Sequence, residues 1–336
     1  MSSETEIEHV LSQSSYPFLC GATALSDACN VASKLVSQLR LLDLDIMIVP
    51  HHEEVDTFIA LHAARHANIK ARVLEMPNIF GNGNHFRMCA AASVVVFPSC
   101  FAAHHDLSAE CRRSGTSIVV IPPVGLDMTA EKSSSSFNKD TFTVVYSSRL
   151  SSERSVGIFL HTACVLRDLT SRTFERFRFI LLGDGVQMQG IRNVVSAWNL
   201  NSYVEIRGAV TNQEVHRVLR EEADAYLNPQ FGETFGIGVI EAMSHGVPPI
   251  VCDSGGTSEN VEDEVTGLVV NCSDYENPFD IAHRFARILL DFAYPISENS
   301  VRYDRISAQA RIRSHLMYGR DSFAVQYGSL YEFLLW

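Results

Sequence analysis

The sequence has no excess of positive charge, because 27 Lys and Arg stand against 39 Asp and Glu for a formal net charge of −12. A nucleic-acid-binding protein needs a basic face that neutralises phosphates, so nucleic acid is excluded as the main partner. No apolar run reaches the ~18 residues of a membrane span. The nearest run, AAASVVVFPSCFAA, is shorter and contains Pro98. We therefore expect no transmembrane segment.

Closely spaced cysteine pairs and a targeting segment are also missing. The eight cysteines form no CxxC pair, which gives no sign of a zinc or redox motif. The first residues, MSSETEIEHV, are polar and acidic, unlike a secretory signal or an Arg-rich transit peptide. We expect a cytoplasmic protein whose cysteines are reduced and buried.

Short β-rich runs alternate with helical patterns along most of the chain. The predicted strands are LDIMIVP (44–50), KARVLEM (70–76), SVVVFP (93–98) and SIVVIPP (117–123), followed by TFTVVYSS, FRFILLGD, YVEIRG, AYLNP, VPPIVCD and TGLVV between residues 141 and 270. This alternation predicts parallel sheets covered by helices. From residue 278 onward, amphipathic helices are predicted to the end of the chain.

A segment rich in serine, TAEKSSSSFNKD at 129–140, separates the two series of strands. Such a composition is typical of a linker, although a surface loop remains an alternative. A chain of 336 residues is too long for one ordinary core. We predict an α/β protein of two Rossmann-like domains, 1–140 and 141–336, with a ligand crevice at the carboxyl ends of their strands.

One segment of the second domain, GETFGIGVIEAMSHG, places carboxylates in an apolar run. It follows the strand AYLNP and predicts a loop and a helix, with Phe235, Gly236 and Ile237 at the helix N-terminus. Main-chain N–H groups there favour a phosphate. Glu241 lies roughly 7 to 8 Å further along the helix axis, a distance that suits the ribose of a bound nucleotide. Glu233 precedes the helix and can reach a group at the other end of the phosphates.

Two arginines follow the predicted strand TFTVVYSS, in SSRLSSERSVGIF. Arg149 comes directly after the strand and Arg154 precedes the next helix, so both are predicted to point at the same site. Two guanidiniums suit a diphosphate as a ligand and as a leaving group. Solvated surface positions are the alternative for both residues.

Together these segments resemble the donor-binding domain of the retaining, GT-B-fold glycosyltransferases of family 4, over residues 141–330. The element Glu233 to Glu241 is the most specific part of this resemblance. The family implies that Glu241 holds the nucleotide ribose, that Glu233 contacts the transferred sugar, and that Arg149 and Arg154 hold the diphosphate. It further implies hexosyl transfer from a UDP or GDP sugar to an acceptor hydroxyl with retention, and without a metal or other cofactor.

The first domain resembles the acceptor domain of this family less closely. Its strand LDIMIVPHH lies unusually near the start of the chain, which predicts a shortened domain. Pro77 and Asn78 stand where the family often has a catalytic histidine. His51, His52 and His85 are candidates for that role. The alternative is a nucleotide-sugar-binding pseudoenzyme, or a subunit of a glycosyltransferase complex in which a partner completes the acceptor side. The acceptor could be a glycan, a lipid-linked molecule or a small molecule.

A metal site built from His51, His52, Glu53, His62 and His66 is a further alternative. His62 and His66 share one helix face at i, i+4, a spacing that metal-binding helices use. The sequence shows no other constraint on the ligand geometry. We therefore predict no metal site.

The segment GDGVQMQG, with Glu205 twenty residues after Gly185, also has the outline of a dinucleotide-binding turn. Met188 occupies the position of the third glycine, which close packing of the helix against the sheet requires. An ordinary turn between a strand and a helix is the favoured interpretation.

Overall fold

The computed structural model describes residues 22–50, 54–76, 89, 91–104, 114–123, 141–151, 155–170, 176–272, 277–293 and 297–336. The chain divides into two compact units. Unit 1 comprises Met1–Pro123 and Phe323–Trp336, and unit 2 comprises Val124–Ser322. The predicted linker at 129–140 lies outside the described residues.

Unit 1 contains a four-stranded parallel sheet in the order β1-β2-β3-β4. Its elements are α1 (Ala22–Leu42), β1 (Ile46–Pro50), α2 (Glu54–His66), β2 (Ala71–Glu75), β3 (Val94–Phe97), α3 (Cys100–His104) and β4 (Ser117–Val120), joined by most of α11 (Arg320–Leu335) from the end of the chain. All four predicted strands are present within the predicted ranges. Helix α1 packs on α2, which packs on β1 and β2.

The position of α11 corrects the predicted domain assignment, which placed all of 141–336 in the second domain. Its apolar residues recur on one face and pack with buried valines of β2 and β3: these are Phe323, Tyr327, Leu330, Tyr331 and Leu334. The Tyr327 hydroxyl donates a hydrogen bond to Glu75. A sheet face of this kind needs a cover, and α11 supplies an apolar stripe of helical period. The first unit is therefore completed by the last helix of the chain.

Unit 2 contains a six-stranded parallel sheet in the order β10-β9-β8-β5-β6-β7. Its elements are β5 (Phe142–Ser147), α4 (Val156–Thr170), β6 (Phe177–Leu182), α5 (Met188–Ala197), β7 (Val204–Gly208), α6 (Asn212–Glu221), β8 (Ala225–Asn228), α7 (Ile237–Ser244), β9 (Pro249–Cys252), α8 (Thr257–Asn260), β10 (Leu268–Val270), α9 (Pro278–Ala293) and α10 (Ser297–Tyr318). Strands β8 and β9 are buried at every position, as strands of a sheet covered on both faces must be. The carboxyl ends of β5, β8 and β9 lie side by side.

A network of ion pairs covers the edge strand β7. The Arg207 guanidinium contacts Glu205 and, at 2.7 Å, Glu222, while Arg178 contacts the same two carboxylates. Hydrogen bonding from Arg207 lowers the pKa of Glu222 to about 2. Glu205, the acid that a dinucleotide-binding turn would require, is thus part of this network of ion pairs.

Two cysteines correct the expectation that all eight thiols are reduced. Cys252 ends β9 and Cys272 follows β10, and the two form a disulfide with a Cα–Cα distance of 5.5 Å. Neighbouring strands bring together residues that are twenty positions apart in the sequence. Among the described cysteines, Cys100 and Cys164 take no part in a disulfide. No helix in the described part of the chain is both long and apolar enough to cross a membrane.

The packing of α11 predicts the effect of truncating one of its buried side chains. Leu330 is 5% exposed, whereas Phe333 on the same helix is 69% exposed. Leu330→Ala is expected to destabilise unit 1 by about 2 to 4 kcal/mol, because it leaves a cavity against the sheet. Hydrogen exchange of the β2 and β3 amides measures this loss. Phe333→Ala is the control, and equal exchange in the two variants would show that α11 does not complete the core of unit 1.

Candidate functional site

The loop between β8 and α7 carries three of the predicted site residues, Glu233, Phe235 and Gly236, and α7 itself carries Ile237 and Glu241. Helix α7 begins at Ile237, and Gly236 is its N-cap residue in the left-handed region, at φ 87° and ψ 60°. A Cβ atom at Gly236 would lie 2.4 Å from Thr257 Cγ2. Both the left-handed backbone conformation and the lack of room for a side chain therefore require glycine at this position. No side chain caps the helix. The first N–H groups of α7 are therefore left to a ligand or solvent.

The segment after β9 holds the main chain of this loop. The Gly256 N–H donates to the Glu233 carbonyl at 2.6 Å, and the Gly232 N–H donates to Ser254 Oγ at 3.2 Å. A Cβ atom at Gly255 would lie 2.5 Å from the Glu233 oxygen. The backbone of Glu233 is thus fixed by a close approach that only glycine permits.

Arg149 lies on the loop after β5, next to the strand that carries the Glu233 loop. It is exposed, and no described residue forms a hydrogen bond or an ion pair with its guanidinium. The main chain beside it is held by the loop after β6, since the Leu150 N–H donates to the Asp184 carbonyl at 2.9 Å. Arg154, the other predicted phosphate ligand, lies outside the described residues.

The glycines of GDGVQMQG have a packing role in this loop pair. A Cβ atom at Gly183 would lie 1.8 Å from the Ser148 oxygen, and one at Gly185 would lie 2.5 Å from the Leu150 oxygen. Both glycines have positive φ angles. They therefore allow the loop after β6 to lie directly against the loop that carries Arg149.

A tyrosine hydroxyl lies beneath the first turn of α7. The Tyr226 hydroxyl is 3.0 Å from Ser147 Oγ and donates to the Ser147 carbonyl at 3.1 Å. A side chain at Gly238 would begin 2.3 Å from this hydroxyl and 3.4 Å from Ser147 Oγ. Because Gly238 has no side chain, the first turn of α7 can pack directly against the carboxyl end of β5.

Gln230 is a structural residue that the sequence reasoning missed. Its side chain is buried, and its Oε1 accepts a hydrogen bond from the N–H of Ser155 at 3.0 Å. Ser155 directly precedes α4 and directly follows Arg154 in the sequence. The 75-residue separation between the two partners leaves no local sequence signal for this contact.

Glu241 is a half-buried carboxylate in the middle of α7. No described residue gives its side chain a hydrogen bond or an ion pair. Burial raises the pKa of Glu241 to about 7. A carboxylate that is desolvated without compensation is costly for the folded protein, and groups with such perturbed pKa values cluster at functional sites.

The structure brings together Glu233, Gly236, Ile237 and Glu241 on one loop and helix, with Arg149 on the neighbouring loop. The side chain of Phe235 is buried, so only its main chain is available to a ligand. Ile237 is 49% exposed. Whether these residues bind a ligand stays a prediction.

Four candidates from the first domain lie outside the described residues: His51, His52, Glu53 and His85. Among the residues that are described, no group of three or more His, Cys, Asp or Glu side chains is arranged to hold a metal ion.

The raised pKa of Glu241 predicts a pH-dependent cost to stability. Its folded-state pKa of about 7 exceeds the ordinary value of ~4.3, so the folded protein retains a proton that the unfolded chain releases between these pH values. Stability therefore falls as pH rises towards 7 and stays lower above it. Glu241→Gln should raise the melting temperature by a few degrees at pH 8 and leave it unchanged at pH 4.

Thermal unfolding across this pH range measures the effect. Asp304→Asn, which changes an exposed carboxyl on α10, is the control and should show no such gain. A Glu241→Gln protein that is less stable than the unsubstituted chain at pH 8 would contradict the assignment of an uncompensated carboxylate.

Comparison with known proteins gives relatives for this arrangement. The chain is 28% identical over 142 residues to 2-deoxystreptamine N-acetyl-D-glucosaminyltransferase of Niallia circulans, a match that covers 42% of this chain and 35% of that enzyme. The chain thus spans about a third of this curated relative.

Among solved structures, the pneumococcal O-GlcNAc transferase GtfA in complex with UDP and GlcNAc superposes with a TM-score of 0.71 at 15% identity, covering 90% of this chain and 60% of that one. Anabaena Alr3699/HepE in complex with UDP and glucose also gives a TM-score of 0.71, at 17% identity and with 93% and 83% coverage. These similarities confirm the predicted fold class, α/β with two Rossmann-like units of the GT-B type.

The family model for glycosyl transferases group 1 matches residues 127–303, just over half of the chain. This range includes the loops after β5, β8 and β9 and the whole of α7. It therefore contains every site residue that the sequence analysis assigned to the second domain. The chain belongs to the glycosyl transferases group 1 family.

Proposed function

We propose that the chain is a retaining hexosyltransferase that transfers a sugar from a nucleotide diphosphate sugar to an acceptor hydroxyl. The observation that carries the proposal is Glu241, a half-buried carboxylate for which no described residue supplies a donor. It stands on the helix whose uncapped N-terminus follows the Glu233 loop. If a nucleotide lay along α7, its phosphates would bind at the N-terminus of the helix and its ribose would lie beside the carboxylate of Glu241.

Each end of such a ligand has a residue suited to it. The diphosphate would lie at the main-chain N–H groups of the first turn of α7, between that helix and the guanidiniums of Arg149 and Arg154. The vicinal hydroxyls of the ribose would donate to the ionised carboxylate of Glu241. Glu233 would then contact the sugar on the far side of the diphosphate.

The reaction breaks the bond between the anomeric carbon and the diphosphate oxygen, and forms a bond from the acceptor oxygen to the same carbon. Retention requires the acceptor to approach on the face from which the diphosphate departs. The acceptor proton is taken up by the leaving diphosphate. Arg149, Arg154 and the amide end of α7 would stabilise the developing negative charge, and this is why we propose a reaction without a metal ion or cofactor.

We propose UDP as the nucleotide of the donor. GtfA and HepE, two structural neighbours of this chain, are described in complexes that contain UDP. A GDP sugar is the alternative that the sequence left open. The acceptor, whether a glycan, a lipid-linked molecule or a small molecule, would be selected by unit 1.

A second proposal, a nucleotide-sugar-binding subunit that works with a partner chain, is favoured by the described part of unit 1. Its sheet has four strands where the sheet of unit 2 has six. One structural neighbour is the GtfA/B complex, with a TM-score of 0.68 at 15% identity. In that case the partner would contribute to the acceptor side.

The identity of the nucleotide can be tested by thermal shift. A ligand that binds only the folded state at about 100 times its Kd adds about 2.7 kcal/mol of stability, which should raise the melting temperature by about 5 °C or more. UDP-glucose and UDP-N-acetylglucosamine should produce this shift, whereas GDP and ADP sugars should not. A shift with GDP sugars alone would replace UDP in the proposal, and the lack of a shift with any of them would refute donor binding.

Substitution of the two acidic residues should separate binding from transfer. Glu241→Ala is expected to weaken UDP-sugar binding by about 30-fold or more, because it removes two charged hydrogen bonds. Glu233→Ala should leave UDP binding within about threefold and reduce transfer, or hydrolysis of the donor, by about 100-fold or more.

Calorimetry and turnover assays on the purified chain measure these effects, with Asp304→Asn as the control. Unchanged turnover in Glu233→Ala would reject the role of that residue. Donor binding without turnover in the unsubstituted chain would favour the binding subunit.

A further inference from the structure

Asn260 is a polar residue that is only 2% exposed at the end of α8. Both polar atoms of its side-chain amide form hydrogen bonds. The Nδ2 group donates to the main-chain carbonyl of Phe235, and Oδ1 accepts a hydrogen bond from the Tyr318 hydroxyl at 2.8 Å. A chain of two hydrogen bonds therefore joins the loop before α7 to the last residue of α10.

Helix α10 holds this chain of contacts in two further ways. The Tyr318 ring packs edge-on against the Phe235 ring, with centroids 5.6 Å apart. Arg313 donates from Nε to the Asn260 carbonyl at 3.0 Å and from Nη2 to the Glu259 carbonyl at 3.1 Å. These bonds cap the carboxyl end of α8, so the side chain of Asn260 is presented from a fixed backbone.

The hydrogen bond to Phe235 controls the direction of the next amide. Phe235 and Gly236 share one peptide plane, and in a planar trans peptide the C=O and N–H groups point in opposite directions. When Asn260 holds the Phe235 carbonyl, the Gly236 N–H is aimed away from Asn260. Gly236 is the N-cap residue of α7, so the same bond sets one donor of the anion site.

We propose that Asn260 and Tyr318 are positioning residues for the nucleotide-sugar site, since they hold the Phe235–Gly236 peptide in the orientation that binds the diphosphate. The inference rests on the proposed function for the identity of the ligand. The orientation of the loop is a property of the free protein and can be measured without a ligand.

Tyr318→Phe tests the proposal, because it removes only the hydroxyl that fixes Asn260. Tyr303→Phe is a matched control. Tyr303 belongs to the same helix, is equally buried at 1% against 4% exposure, and donates to the Asp224 carbonyl at 2.8 Å. Each variant therefore loses a buried hydrogen bond from α10, but only Tyr318→Phe loses the one to Asn260, which holds the loop before α7.

Three readouts test the proposal. Hydrogen exchange of the peptide spanning 232–240 should be faster in Tyr318→Phe than in Tyr303→Phe or the unsubstituted chain. The Kd for UDP-glucose should rise by about five- to tenfold in Tyr318→Phe only, which corresponds to the loss of one hydrogen bond. The donor KM should rise more than kcat falls.

Equal exchange of residues 232–240 in the two tyrosine variants would overturn the proposal. If the unsubstituted chain bound no nucleotide sugar, the proposed function would fail, and hydrogen exchange would still decide whether Tyr318 positions the loop. Asn260→Leu adds an independent check. Its effect on exchange should not add to that of Tyr318→Phe, because both residues act through one chain of hydrogen bonds, and full additivity would count against the proposal.

Discussion

The close approach of two main-chain segments at the carboxyl edge of the second sheet is the constraint on which the site depends. Glu233 and Gly255 come so near that no side chain fits at Gly255, and the Gly256 N–H bonds the Glu233 carbonyl. Parallel strands deliver these loops to the same edge. The glycines allow the two segments to come into contact, and this contact fixes the main chain shortly before α7.

Two of the polar side chains at the site, those of Arg149 and Glu241, take no part in these main-chain contacts. Arg149 is exposed and has no ion-pair partner among the described residues, and Glu241 has no donor there. The contrast with β7 is instructive. Arg207 forms ion pairs with both Glu205 and Glu222. The pKa of Glu222 is lowered, whereas that of Glu241 is raised. Charges that stabilise the fold and charges that cost it energy are thus separated in space.

Much of the fold could be predicted from the sequence, because buried parallel strands are continuous apolar runs that a reader can recognise locally. All ten predicted strands are present, and α9 covers 278–293 as predicted. The arrangement of Glu233, Gly236 and Glu241 was also readable, since a short loop and one helix carry all three. What could not be predicted depends on distant partners. The bond from Gln230 to Ser155 spans 75 residues, and that from Asn260 to Tyr318 spans 58.

The packing of α11 in unit 1 could not be predicted from the sequence for a related reason. Its apolar stripe indicates that the helix packs against another element, but the stripe is equally compatible with either sheet. Helices α10 and α11 make their contacts in different units. Tyr318 ends α10 and contacts the donor loop of unit 2, while Phe323, five residues later, begins the stripe that packs in unit 1. The same short stretch of chain therefore supplies a contact to the loop before α7 in unit 2 and the first packing residue of α11 in unit 1.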